Sequence, residues 1–314
     1  MPLSAGAMIM QLDQFRKYYN HTIHPELVRL DRKRMRFIRL LLIAVLLFGA
    51  VVVFEIYVRI FVLSLLLMLI LGVYMSFVIY RMRKFIREFK PHVVRLVLDF
   101  IDDQPLFGEL EYKPKGKIPL KRFLSSGIFS LGEAVYEGED YITGRIGDIE
   151  FEMCELLVRE TSRVRARLDD VFKGIFIHAV FRHPARGRLL VLPRDEMPLM
   201  TESLRNLVAN GGQCLDDHIP EEEFLGRFTV YGTRDARLSA LLPQELREFL
   251  TQYRRQSKIY LSIIGQHIFV AITNEKDILE PNVLRSNVSF ELVREFYEDI
   301  ASGLYVVRAI DVSH

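Results

Sequence analysis

The sequence predicts an α+β protein, in which an N-terminal two-helix transmembrane hairpin is followed by a cytoplasmic, mainly antiparallel sheet domain with helices. Three observations carry this. Two uncharged apolar runs follow one another with only a short interruption, lysine and arginine gather on their outer flanks, and beyond residue 104 the hydrophobic period changes from helical to alternating. The expected organisation is a cytoplasmic helical segment over 1–36, the membrane hairpin over 37–81, a stalk helix over 82–103 and a cytoplasmic α+β domain over 104–314.

The first run, "LLLIAVLLFGAVVVF" at 40–54, extends to Val58 if Glu55 sits at the headgroup level, and "IFVLSLLLMLILGVYMSFVIY" fills 60–80. At 1.5 Å per residue the second is about 31 Å long, enough to cross the hydrocarbon core. Two such runs in succession, the first beginning near residue 37, exclude a cleaved signal peptide. Gly72 and Ser76 have the spacing of small residues at a helix contact and are expected to pack the hairpin on itself.

Orientation comes from the flanks. Arg29, Arg32, Lys33, Arg34, Arg36 and Arg39 precede the first span; Arg81, Arg83, Lys84, Arg87 and Lys90 follow the second; Arg59 alone lies in the turn. The positive-inside rule places both termini and the main domain in the cytoplasm. These eleven cations form a basic collar that can gather anionic lipid. Residues 1–90 hold 14 Lys or Arg against 5 Asp or Glu, a net +9, and 91–314 hold 28 against 35, a net −7. The acidic body is therefore expected to be held off an anionic surface. Free cysteines suit the cytoplasm, because Cys154 and Cys214 show neither a disulfide framework nor a CxxC metal spacing.

Helical apolar spacing continues beyond the spans, at Ile23, Leu27 and Leu30 before them and from Phe85 to Phe100 after them, with Pro91 expected to start a new helix or kink the old one. A Pro- and Gly-rich loop, "DQPLFGELEYKPKGKIP", then opens the body. In "YEGEDYITGRIGDIEFEMCE", 136–155, Gly147-Asp148 suits a two-residue turn. The resulting register pairs Ile146 with Ile149, Gly144 with Phe151 and Ile142 with Met153 on an apolar face, and Arg145 with Glu150, Thr143 with Glu152 and Tyr141 with Cys154 on a mostly polar one. Glu150 and Glu152 are thereby read as solvated sheet partners. Glu137, Glu139 and Asp140 read as a solvated turn, with a cation site as the alternative.

"KIYLSIIGQHIFVAIT" predicts a second hairpin turning at Gly265-Gln266, and "GIFIHAVFRHPARGRLLVLP" a third looping at 184–187, its strands apolar on both faces and so central. His178, inside that last run, reads as a satisfied core histidine. Helices are expected over 243–255 and 289–303, the second stopping at Gly303.

Catalytic signatures are missing: the chain has no GxxxxGK[ST], GxGxxG, HExxH or GxSxG. The nearest approach to a nucleophilic site is Cys214 with Asp216, Asp217 and His218, in a loop composition that orients nothing. Arg163, Arg165 and Arg167 alternate as a solvated strand face would, and an acidic body without an aromatic platform argues against nucleic acid. No cofactor is called for.

Four stretches, "YYNHTIHPELVRLDRKRMR", "YEGEDYITGRIGDIEFEMCEL", "FKGIFIHAVF" and "RFTVYGTRDARLSALLP", resemble a family of bacterial two-span membrane proteins known as domain of unknown function 3137. The resemblance implies location in the bacterial cytoplasmic membrane but no activity, cofactor or functional residue, and it suggests a LemA-type membrane protein as a partner. The expected function is a membrane-anchored cytoplasmic interaction or scaffold module that binds such a protein or itself. The alternatives are an enzyme acting on a membrane-proximal substrate through Glu137, Glu139, Asp140, Cys214 or His218, and a pleckstrin-homology-like ligand- or lipid-binding domain.

Overall fold

The computed structural model describes residues 5–58, 61–132, 134–161, 168–196, 202–253, 257–274 and 285–313. Helices α1 (Ala5–Tyr18), α2 (His24–Val58) and α3 (Phe61–Asp102) come first, a π-helical turn at Tyr19–Ile23 joining the first two. Strand β1 (Phe107–Lys113) and helix α4 (Leu120–Ser125) precede the long strands β2 (Ala134–Ile146), β3 (Ile149–Thr161) and β4 (Leu168–Val180). Then come β5 (Arg188–Pro193), α5 (Glu202–Ala209), β6 (Gly212–Cys214), α6 (Glu222–Arg227), β7 (Phe228–Thr233), α7 (Leu238–Leu241) and α8 (Gln244–Gln252). Strands β8 (Ile259–Ile264) and β9 (His267–Thr273) and helix α9 (Phe290–Ser313) complete the chain.

The contacts divide the chain into two compact units, one of Ile9–Phe100 with Ile278–Glu295, the other of Met1–Met8, Ile101–Asp277 and Phe296–His314. In the helical unit α2 and α3 are long and apolar enough to cross a membrane. From Leu42 to Phe77 they present large apolar side chains outward, Leu46 73% and Val62 78% exposed, a surface that water would penalise and lipid would not. Glu55 is accommodated there by the Ser64 hydroxyl, which donates to its carboxylate. Past the apolar stretch the helices pack through Phe37 and Phe85, with ring centroids 6.0 Å apart, and Leu27, Val93, Val94 and Val97 are buried. Helix α3 runs through Pro91 without ending, so the proline neither starts nor stops a helix.

The second unit is built on one nine-stranded sheet of order β1-β2-β3-β4-β9-β8-β5-β7-β6, with every neighbouring pair antiparallel. The β8–β9 hairpin has the register that its turn predicts, Ile263 opposite Ile268, Leu261 opposite Val270 and Ile259 opposite Ile272. The β2–β3 hairpin keeps five of its six expected pairs; a bulge between Glu139 and Ile142 breaks the sixth, so Tyr141 lies opposite Lys113 of β1 and not Cys154. The expected third hairpin does not form. Strands β4 and β5 are central, as their two apolar faces imply, but β9 and β8 lie between them. Arg163, Arg165 and Arg167 lie outside the described residues.

One sheet face carries Leu156, Val158, Phe172, Phe176, Tyr260 and Phe269, closed by Ile118, Phe123 and Phe129 from the α4 region. Phe123 and Phe129 stack with centroids 5.1 Å apart, and Phe123 lies 5.0 Å from Phe176. The other face receives α9. Gly303 does not stop this helix; it sits mid-helix, where a Cβ would fall 2.0 Å from Cδ1 of Ile177. The glycine is there to let α9 approach β4.

Candidate functional site

Alternation along β3 puts Glu150, Glu152, Cys154, Leu156 and Val158 on one face. Most of that face is core, so Glu152 extends an apolar row and is 6% exposed. The expectation of a solvated Glu152 is corrected, because the chain between β1 and β2 folds over this face and supplies its cover. Strand register brings Thr143, Glu152, His178 and Phe269 into one line across β2, β3, β4 and β9.

Glu152 is the centre of a closed polar network. Its Oε1 lies 2.9 Å from His178 Nδ1 and also accepts from Nη1 of Arg122 on α4; its Oε2 accepts from the Tyr141 hydroxyl at 2.7 Å. The other His178 nitrogen, Nε2, lies 2.9 Å from His267 Nδ1, and the two rings stack with centroids 5.1 Å apart. His178 is 3% exposed, so it is a buried histidine as expected, but its partners are a carboxylate and a second histidine that no sequence spacing announces. His267 reaches solvent at the start of β9.

Burial alone would raise the Glu152 carboxyl, but the hydrogen bonds from His178, Arg122 and Tyr141 and the arginine charge outweigh it and hold it at about 2. Burial and the bond to Glu152 push the Tyr141 hydroxyl upward, which keeps it a donor. Burial, then the His178 and Arg122 charges, lower His267. A neutral histidine pair orders its protons in one direction, His178 Nδ1–H donating to Glu152 while its Nε2 accepts from His267 Nδ1–H. Beside the network lies an open groove of about 400 Å³, lined among others by Arg122, Tyr141, Thr143, Arg145 and Glu150. The arrangement can hold a proton or a polar ligand at fixed geometry. Among the described residues no hydroxyl or thiol nucleophile is hydrogen-bonded to either histidine.

The residues singled out from sequence lie elsewhere. Glu137 pairs with Arg159 at 2.9 Å. Oxygens of Glu139, Asp140 and Glu155 lie within 4.8 Å of one another, but Asp140 is also bonded by the Tyr112 hydroxyl and sits at φ 55° in the bulge. Cys214 is exposed on β6; burial, followed by the Asp216 carboxylate, moves its thiol upward, away from a reactive thiolate. Asp216, the acid a Cys214–His218 site would recruit, is engaged by Val230 N at 2.8 Å and Arg194 at 2.9 Å. In the collar, Arg34 and Lys90 are buried, Arg34 against Asp31 at 2.9 Å; Arg29, Arg32, Lys33, Arg36, Arg39, Arg81, Arg83, Lys84 and Arg87 are exposed.

Residues 170–311 match the family described as "Protein of unknown function (DUF3137)". This supports the resemblance that the sequence shows to domain of unknown function 3137. The DUF3137 match contains His178 and His267 but begins after Arg122, Tyr141 and Glu152, so it spans two of the five members of the network. No curated protein matches the chain. Among solved structures, the crystal structure of the mycobacterial trehalose monomycolate transport factor A, TtfA, aligns at 12% identity over 69% of this chain and 95% of that one, with a TM-score of 0.34. So loose an alignment carries no argument about this chain.

Proposed function

We propose that the chain is a membrane-anchored interaction or scaffold module of the bacterial cytoplasmic membrane, with its sheet domain in the cytoplasm. The observation that carries this is the exposed apolar surface of α2 and α3 between Leu42 and Phe77, with Arg32, Lys33, Arg36 and Arg39 exposed before the first apolar run and Arg81, Arg83, Lys84 and Arg87 after the second, so that a hairpin puts both clusters on one side. The groove beside Glu152 is the contact surface of the module, because hydrogen bonds hold its Glu152, Arg122 and Tyr141 groups at fixed geometry beside open solvent. Its partner is a LemA-type membrane protein or a second copy of the chain.

The two cysteines make the topology directly measurable. Cys214 is exposed and Cys154 is buried. A membrane-impermeant maleimide applied to intact spheroplasts should leave Cys214 unlabelled and should modify it after permeabilisation; labelling of intact spheroplasts overturns the cytoplasmic placement. Crosslinking in mild detergent should then recover a stoichiometric partner or a homo-oligomer, and a strictly monomeric product would remove the scaffold role.

A further inference from the structure

In a body of net −7, residues 113–132 contain five Lys or Arg and no Asp or Glu. The structure shows what this stretch is. It forms a strap across β2 and β3: Pro114 O accepts from Asp140 N at 3.1 Å, Ile118 N donates to Cys154 Sγ at 3.3 Å, and the Tyr136 hydroxyl donates to Ile118 O at 2.7 Å. Gly138 makes room for it, since a Cβ there would fall 2.8 Å from that of Lys117. Ile118 and Phe123 point into the core and are both 0% exposed. With those two side chains fixed inward, Lys115, Lys117, Leu120, Lys121 and Leu124 are all held outward.

The charges on this outer side are largely unopposed. Lys113 pairs with Glu111 and Arg122 with Glu152. Lys117 donates to Tyr136 O at 2.8 Å, a bond that leaves its charge intact, and neither it nor Lys115 nor Lys121 has a carboxylate partner among the described residues. The nearby acids Glu137, Glu139 and Glu155 occupy strand positions alternate to Tyr136, Gly138 and Cys154, over which the strap lies, so the sheet separates them from it. Leu120 and Leu124, one helical turn apart on α4, are 39% and 37% exposed among these lysines.

We propose that the outer face of this strap, Lys115, Lys117 and Lys121 with Leu120 and Leu124, docks on an anionic lipid surface. Cations that can reach headgroups, set beside apolar side chains that can enter the headgroup–acyl boundary, are what such a surface binds, and the rigid backbone beneath means that little order has to be gained on contact. The contact rests on the reading of the chain as a membrane protein, since α2 and α3 would keep a bilayer within reach. It also qualifies the expectation from net charge: the body as a whole is repelled by an anionic leaflet, and this one face is not.

The full chain carrying L124C and C214S, with Cys154 buried, takes a single environment-sensitive bimane at the strap. It is reconstituted into nanodiscs of phosphatidylcholine alone or mixed with phosphatidylglycerol, each with and without nitroxide-labelled lipid. Nitroxide quenching and a blue shift are expected only with phosphatidylglycerol. Both should disappear in high salt, where the Debye length falls to about 3 Å. Substituting K115Q, K117Q and K121Q together should weaken docking about a hundredfold, each neutralised cation contributing about fivefold. Failure of the chain to enter nanodiscs would count against the membrane reading itself. Incorporation with no quenching in anionic discs, with equal quenching in both lipids, or with quenching unaffected by the three substitutions overturns strap docking. So does a strap covered instead by an acidic protein that shields the probe from lipid. Continued protection of Cys154 from thiol reagents shows in each variant that the sheet domain is folded.

Discussion

The Glu152 carboxylate and the His178 imidazole occupy opposed register positions on β3 and β4, with Oε1 2.9 Å from Nδ1 and both side chains under a tenth exposed. Removing Glu152 takes away the acceptor that His178 Nδ1, Arg122 and Tyr141 share in a buried setting. Glu152→Ala should therefore lower the stability of the sheet domain by about 3–5 kcal/mol, and Glu152→Gln, which keeps the shape but not the charge, by about 1–3 kcal/mol. Cys154 offers the readout, because burial pushes its thiol up to about 12 and it reacts only when the domain opens. Its modification rate in denaturant, measured on the full chain in mild detergent, should rise in that order; rates equal to wild type would show that the network contributes nothing.

The same pair sets the acid limit. The folded carboxyl is held at about 2 against an ordinary 4.5, a depressed value, so its stabilisation is complete above the unfolded pKa and is lost as pH falls from 4.5 toward 2. The shift corresponds to about 3 kcal/mol across that window. His267 acts in the same sense at higher pH: its folded pKa is lowered from 6.5, so the unfolded chain takes up the proton first and stability falls as pH drops below 6.5. Melting temperature against pH should show both declines, and Glu152→Gln should flatten the lower one. A lower limb that survives this substitution would assign it to other carboxylates.

How far the sequence reveals this site depends on the range of each interaction. The turns at Gly147 and Gly265 are local, so the β2–β3 and β8–β9 registers follow from alternation and turn chemistry alone. The turn between β4 and β5 is not a hairpin, because β9 and β8, many residues later, take the intervening places, and nothing in the loop at 184–187 encodes that. Glu152 is expected at solvent and found buried for a related reason. Alternation tells which residues share a face but not whether the face is covered, and its cover is the strap around Ile118 and Phe123. A signal was present in "IEFEMCELLV", where Glu152 is followed on its own face by Cys154, Leu156 and Val158, an apolar row too long for a solvated one. His267 carries no such mark; only the β4–β9 pairing brings it to His178.

Gly303 makes a steric prediction. A Cβ there would meet Ile177 Cδ1 at 2.0 Å, and Ile177 is fully buried, so Gly303→Ala should overpack the α9–β4 contact at a cost of about 1–3 kcal/mol, against about 1 kcal/mol of gained helix propensity. Ile177→Val removes the clashing carbon. The double variant should therefore be more stable than the sum of the two single changes predicts, a coupling readable in a double-mutant cycle on melting temperature. Additivity would mean that α9 shifts freely and that the glycine is not required for close approach.

The Glu152–His178 pair also permits a test of why it is there. Glu152→Leu alone strands a buried histidine, whereas Glu152→Leu with His178→Leu replaces both members by apolar groups of comparable volume. The remaining partners are not stranded, since Arg122 is 47% exposed at its side chain, His267 reaches solvent and the half-buried Tyr141 lines the open groove, so each can turn to water. Exchanging a buried ionic pair for apolar packing is commonly neutral or stabilising, while breaking one costs about 3–5 kcal/mol. The double variant should thus regain most of what the single one loses and stand within about 1 kcal/mol of wild type, as judged by Cys154 protection in denaturant. That outcome would leave a role at the groove, not stability, as the reason for a charged network in an otherwise apolar row. A double variant as unstable as the sum of its parts would instead make the network structural and withdraw the groove as the contact surface of the module.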